Sequence, residues 1–299
     1  MAAAIGGAAV AGAATRWSRR FDDLRRSRAQ DRQLAWYDGD TVHAMTFLTV
    51  RSGEDPMAAV RTFHRTTRHF RGVRWVYAGR AMITGVVSRQ IGPTEWDAVV
   101  VMQFPSLKDQ RMVLASAAYQ EAIAPFARHY TCAFRRPATF NAALPTLLGA
   151  RGTVRRLRGT EEILPFKPAP ADEDGPPSNF FLDPLVTERD LGVDGAVIAS
   201  LVKRPEDADR KASIRFIRKM AAIMAETGFG PIHLGRVLET SGNLASDEEH
   251  HFDGVALIAY PNLEFLADMA GSEYFRDAAR DRKLGDLQTV LTAPILYRL

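Results

Sequence analysis

The sequence repeats itself. Trp75–Val76–Tyr77–Ala78–Gly79–Arg80–Ala81 is similar to Pro231–Ile232–His233–Leu234–Gly235–Arg236–Val237, Trp96–Asp97–Ala98–Val99 to Phe252–Asp253–Gly254–Val255, and Phe104–Pro105–Ser106–Leu107 to Tyr260–Pro261–Asn262–Leu263. All three pairs stand 156 positions apart (231 − 75, 252 − 96, 260 − 104). Ser116–Ala117–Ala118–Tyr119 matches Gly271–Ser272–Glu273–Tyr274 after a one-residue slip. Each match alone is weak. Three at a shared offset and in the same order mark a duplicated unit, so the fold must be built from two like halves.

Each unit reads β-α-β-β-α-β. In the first, Ala44–Val50 is a strand. Asp55 and Pro56 are the cap and first position of a helix running to about Phe70. Val73–Thr84 and Trp96–Phe104 are strands, Pro105 and Ser106 open a helix to about Arg128, and Tyr130–Phe140 is the last strand. In the second, Ala196–Val202 is a strand. Asp209–Glu226 is a helix with Ile217, Met220, Ala221 and Met224 on one face. Ile232–Glu239 and Phe252–Tyr260 are strands, Asn262–Lys283 a helix, and Thr289–Tyr297 a strand. The expected divisions are an Ala/Gly-rich then Arg-rich segment over 1–36, the first repeat over 37–140, a linker over 141–191 and the second repeat over 192–299. The linker contains the Pro- and acid-rich stretch Leu164–Pro177, and Leu144, Leu147 and Leu148 suit a short helix within it.

A βαββαβ unit carries both helices on one face of its sheet. A wetted opposite face would alternate apolar and polar residues. Ala98–Val99–Val100–Val101–Met102 and Val255–Ala256–Leu257–Ile258–Ala259–Tyr260 do not alternate. Both faces of these strands are therefore expected to be buried, one by helices and the other by the second repeat. A barrel formed within one chain would leave the protein free to be monomeric.

The arrangement resembles the dimeric α+β barrel, or ferredoxin-like, proteins, which include antibiotic-biosynthesis monooxygenases, muconolactone isomerase, chlorite dismutase and dye-decolorising peroxidases. Within that group it is similar to a family of uncharacterised domains with Gly–Arg near the second strand, an aromatic before the third, and Pro-Ser before a helix ending in Ser-x-x-Tyr. Gly79–Arg80, Trp96, Phe104–Pro105–Ser106 and Ser116–Tyr119 carry this likeness in the first repeat. Gly235–Arg236, Phe252, Tyr260–Pro261 and Ser272–Tyr274 carry it more loosely in the second, where Asn262 replaces the serine. The likeness spans residues 40–140 and 195–299 and implies an α+β fold of two ferredoxin-like repeats forming an intramolecular dimeric α+β barrel. Because such folds host many chemistries, it does not fix an activity.

Such a barrel offers a cleft between sheet and helices, suited to a small apolar or aromatic-acid ligand. Trp75, Tyr77 and Trp96 are candidates to line it, with Pro231, His233 and Phe252 as their counterparts. Arg80 and Arg236 are candidates to hold an anionic group. They are equally placed for structural ion pairs with Asp97 and Asp253. His64 borders the apolar face of the first helix, where it suits a general base or a satisfied boundary histidine. An oxygenase or isomerase that works without a cofactor, on an aromatic or polyketide-like substrate, would need His64 and Trp96 to share a cavity. A ligand-binding module without catalysis needs no such pairing, and a membrane-tethered structural module is a third reading. Haem would need an axial histidine; helices 209–226 and 262–283 contain none, leaving His64 or His69. Glu248, Glu249, His250 and His251 are consecutive and would splay rather than converge on an ion. No cofactor or metal is expected.

Charge narrows the partners. The net charge of +4 is concentrated in Arg16, Arg19, Arg20, Arg25, Arg26 and Arg28, and in Arg151, Arg155, Arg156 and Arg158. Neither cluster is set in a zinc pattern, a helix-turn-helix or another nucleic-acid-binding motif, so nucleic acid is not expected. Met1–Thr15 is apolar but shorter than a membrane span, and arginines follow rather than precede it. A cytoplasmic protein, with weak membrane-surface contact through this segment, is the expectation. Cys132, the one cysteine, lies in an apolar strand and reads as a core residue.

Overall fold

A computed structural model describes residues 40–84, 92–135, 150, 154, 157–159, 196–203, 211–212, 215–216, 219–220, 230–242, 252–260, 263–280 and 287–295. The first half contains β1 (Val42–Val50), α1 (Pro56–Thr67), β2 (Arg74–Thr84), the short β3 (Gly92–Pro93), β4 (Ala98–Phe104), α2 (Leu107–Leu114), α3 (Ala117–Ile123) and β5 (Phe126–Arg135). The second contains β6 (Ala196–Val202), helical positions between 211 and 220, β7 (Gly230–Gly242), β8 (Gly254–Tyr260), α4 (Leu263–Gly271), α5 (Glu273–Ala279) and β9 (Leu287–Pro294). The expected short helix at Leu144, Leu147 and Leu148 lies outside the described residues.

Antiparallel pairing runs β2-β4-β1-β5 in the first half and β7-β8-β6-β9 in the second. The halves do more than stack. β5 pairs with β7, from Tyr130 opposite Gly242 to Arg135 opposite Arg236. β9 pairs with β2, from Pro294 opposite Gly79 to Val290 opposite Thr84. Each half's last strand thus completes the edge of the other half's second strand. The result is a closed eight-stranded antiparallel barrel, the dimeric α+β barrel architecture made by one chain. Closure removes the unpaired edges that an open four-stranded sheet would present.

The apolar strands have a face for each core. Met45, Phe47, Val99, Val101, Cys132 and Phe134 meet Val197, Ala199, Leu201, Val255, Leu257 and Val290 inside the barrel. Ala44, Leu48, Val100 and Met102 face outward onto Val60 and Phe63 of α1 and Tyr119 and Ile123 of α3. The Tyr77 hydroxyl and Thr292 Oγ1 are 2.6 Å apart across one seam. Thr292 Oγ1 donates to the Val197 carbonyl at 2.8 Å, so the Tyr77 hydroxyl is the donor to Thr292.

Two expected helices are broken in the same way. The stretch from Pro105 to Arg128 divides at Ser116, and β5 begins at Phe126, inside the expected helix. Ser116 Oγ donates to the Val113 carbonyl at 2.7 Å and accepts from the Tyr119 amide at 3.3 Å. It therefore satisfies the end of α2 and caps α3. Ser272 does the same between α4 and α5, donating to Met269 at 2.7 Å and accepting from Phe275 at 3.1 Å. The two serines stand 156 positions apart (272 − 116), so the one-residue slip is corrected and Tyr119 corresponds to Phe275.

The paired glycines have a steric cause. A Cβ on Gly79 would lie 2.2 Å from the Tyr77 hydroxyl and 2.9 Å from Thr292 Cβ. One on Gly235 would lie 2.4 Å from the Phe134 ring and 2.8 Å from the Arg135 carbonyl oxygen. Both sit at seams between the halves. Gly235→Ala should lower stability by about 1–3 kcal/mol, because the backbone it meets is pinned by the β5–β7 ladder. Gly254→Ala, whose nearest neighbour would be 3.7 Å away, is the control and should change far less. Denaturant midpoints measure both; equal midpoints would mean that the seam gives way easily.

Candidate functional site

The sheet separates the expected site residues. Trp75 faces outward in the layer between sheet and helices, packed edge-on to Phe63 with ring centroids 5.5 Å apart. Its indole N–H donates to Thr67 Oγ1 at 2.9 Å, and Thr67 Oγ1 in turn donates to the Phe63 carbonyl at 2.8 Å. His64, half-buried on α1, meets the Trp75 ring edge-on at 4.9 Å. Tyr77 and Trp96 belong instead to the barrel interior, and Trp96 packs against Phe47 at 5.6 Å. The register shifts at a bulge between Trp75 and Tyr77, which turns Tyr77 onto the inward face together with Val76. His64 and Trp96 therefore lie on opposite faces of the sheet and share no cavity.

The arginines lie apart from these rings. Arg80 is exposed on β2, five positions beyond Trp75 and so about 17 Å further along the strand. It makes no ion pair with Asp97 among the described residues. The Asp97 carboxylate accepts the Val50 amide at 2.8 Å, where the β1–β5 register shifts. Arg236 is exposed on β7, opposite Arg135 on one side and Gly254 on the other. His233 stands opposite Leu257 in the ladder; its side chain lies outside the described residues, as do Glu248, Glu249, His250 and His251.

The outward layer of the first half holds a polar cluster that the sequence reading missed. Thr46 Oγ1 and Thr131 Oγ1 are 2.9 Å apart on adjacent strands, both buried. The buried Tyr119 hydroxyl stands with them and makes no hydrogen bond of good geometry. Burial pushes its pKa well above the usual tyrosine value, against a smaller opposite pull from Thr46 and Thr131. A signal was available: Thr46 and Thr131 are hydroxyl residues within the apolar runs Ala44–Leu48 and Tyr130–Phe134, and Tyr119 closes the Ser-x-x-Tyr pattern. The second half lacks this hydroxyl. Phe275 replaces Tyr119, and Ser200 and Thr289 are 3.5 Å apart.

Trp96 carries a different neighbour. The Arg128 guanidinium lies 4.4 Å from its ring centroid and reaches Glu95 Oε2 at 3.1 Å. Cys132 is fully buried and its thiol is pushed up to about 12, which suits a core residue and not a nucleophile.

His64 is held below its ordinary pKa of 6.5, first by burial and then by Arg68 and His69. His129 is lowered by burial as well. The imidazole of His64 is therefore neutral at pH 7 and open to a proton. As pH falls below about 6.5 the unfolded chain takes up protons before the folded one, so stability should decline with falling pH through that window. His64→Gln should make the decline shallower in thermal melts taken between about pH 7.5 and 5. An NMR titration placing His64 at or above 6.5 would contradict the assignment.

No family model and no curated protein matches the sequence. Solved structures similar to the chain include an anthrone oxidase-like protein, with 9% identity, 86% of this chain and 92% of that chain covered, and a TM-score of 0.47. A mutant chlorite dismutase from Candidatus Nitrospira defluvii has 10% identity, 89% and 96% coverage, and a TM-score of 0.45. A protein from Lactobacillus acidophilus NCFM whose name suggests a monooxygenase has 8% identity, 85% and 94% coverage, and a TM-score of 0.42. At these values the likeness says nothing of chemistry. The fold rests on the strand pairing itself.

Proposed function

We propose that the chain binds a small, largely apolar or aromatic-acid molecule in the layer between sheet and helices of its first half. One observation carries the reading: the buried Tyr119 hydroxyl, beside Thr46 and Thr131, has no hydrogen bond of good geometry. Thr46 and Thr131 meet only part of its hydrogen-bonding need, so a ligand oxygen or nitrogen would gain a fraction of the roughly 1–3 kcal/mol that a wholly unpaired buried group costs. Phe63, Trp75 and Phe126 supply apolar wall around it, and His64 borders the same layer on Trp75. The replacement of Tyr119 by Phe275 confines the proposal to one half. Arg80 and Arg236 are too far along their strands to serve this layer and remain candidates only for anions at the barrel ends.

The oxygenase or isomerase reading that joined His64 to Trp96 loses its condition, since the two lie on opposite faces of the sheet, and what is left of it rests on His64 alone. A neutral, half-buried imidazole suits removal of a proton from a bound substrate. Trp96 has no part in it.

A second partner enters through residues 1–28, whose apolar and then arginine-rich composition fits weak contact with a membrane surface. No helix among the described residues is long and apolar enough to cross a membrane.

A thermal-shift panel of lipophilic and aromatic acids tests the main reading. A true ligand at about a hundred times its Kd should raise Tm by about 5 °C. Tyr119→Phe should abolish most of that rise, and Phe275→Tyr should not restore it. No stabilisation by any acid, or an undiminished rise in the Tyr119→Phe protein, would remove the proposal's support.

A further inference from the structure

Helix α1 presents a second face that the small-ligand site does not use. Residues 56–74 hold five arginines, two histidines and no aspartate or glutamate. Val60, Phe63 and Thr67 are buried against the sheet. At about 3.6 residues per turn, Arg61, Arg65 and Arg68 fall within about 60° of one another on the opposite side. All three are exposed, as is Arg71 in the turn that follows. Arg65 donates to Thr62 Oγ1 at 3.1 Å and Arg68 to His69 Nε2 at 3.0 Å. Among the described residues none of these four arginines pairs with a carboxylate.

The topology adds a second fact. Arg74 pairs with Gln103, and Gln103 pairs with His43, so the chain leaves α1 at the end of the barrel where β1 begins. Residues 1–39 join the fold at that same end, and they carry Arg16, Arg19, Arg20, Arg25, Arg26 and Arg28 directly after a run of Ala, Gly, Val and Ile. The segment that carries the second arginine group thus enters the fold at the end where α1 finishes.

We propose that the Arg61–Arg65–Arg68 face of α1 docks on an anionic lipid surface. A planar array of phosphates matches a straight stripe of guanidinium groups on a convex helix. The apolar run next to the second arginine group suits the acyl boundary of a bilayer, and a polynucleotide offers nothing for it. Along α1 base stacking would have only the His69 imidazole, already bonded to Arg68, because Phe63 is buried and Phe70 half-buried. The proposal extends the membrane reading of residues 1–28 to the folded surface and is independent of the small-ligand reading.

Co-sedimentation of the full chain with phosphatidylcholine vesicles, with and without about 30% phosphatidylglycerol, is the test. Binding is expected only to the phosphatidylglycerol vesicles, weakening as salt rises from about 0.1 M to about 0.5 M. Arg61→Glu/Arg65→Glu/Arg68→Glu should bind at least about a hundredfold more weakly with an unchanged Tm, and the corresponding triple lysine variant should bind like the parent. Undiminished binding of the triple glutamate variant would overturn the proposal and leave residues 1–28 as the sole contact. A parent chain that ignores the anionic vesicles would overturn both, and retardation of duplex DNA by that same chain would assign the face to nucleic acid.

Discussion

The structure depends on the closure of one sheet by another. β4 and β8, apolar on both faces, cannot stand in water, and helices cover only one face. The duplicated half covers the other and also occupies both open edges, through β5–β7 and β9–β2. Several otherwise unrelated features follow from this. Glycine stands at 79 and 235 because neighbouring groups at the seams leave no room for a Cβ. Tyr77 turns inward and donates across a seam to Thr292. Phe47, Tyr130 and Phe252 meet as large rings from different halves in one interior.

Within this shared frame the halves have diverged in their outward layers. The helix–serine–helix break is the same at Ser116 and Ser272, so the backbone presents equivalent positions. The first half places a tyrosine hydroxyl beside a threonine pair; the second has Phe275 at the equivalent helix position, and Ser200 and Thr289 at the equivalent strand positions. Duplication that preserves the barrel and changes one outward side chain separates architecture from chemistry. The interior holds the halves together, and the outer layer of one half is where a polar ligand group would gain most.

Most of the architecture was legible because it is written in repetition and in apolar strands. The offset of 156 gave two halves, and the apolar runs at Ala98–Met102 and Val255–Tyr260 required both faces to be covered. Ala196–Val202 is bounded as expected, whereas β5 starts at Phe126, four residues before the expected Tyr130. Helix periodicity continues past Ser116 and Ser272, and only the hydrogen bonds of each serine hydroxyl reveal the break. The site was less legible for a sharper reason. Trp75 and Tyr77 are two apart and by strand parity should share a face. The bulge at Val76 separates them, and nothing in the local residue types announces it.

Native-state hydrogen exchange along the strands tests the central claim directly. If the two halves complete one barrel, amides in β2 and β5 and in β7 and β9 exchange only through a common opening, with the same free energy and the same denaturant dependence. Exchange of β7 and β9 through an earlier opening that leaves β2 and β5 protected would show that the first sheet stands without its partner, and would contradict the account.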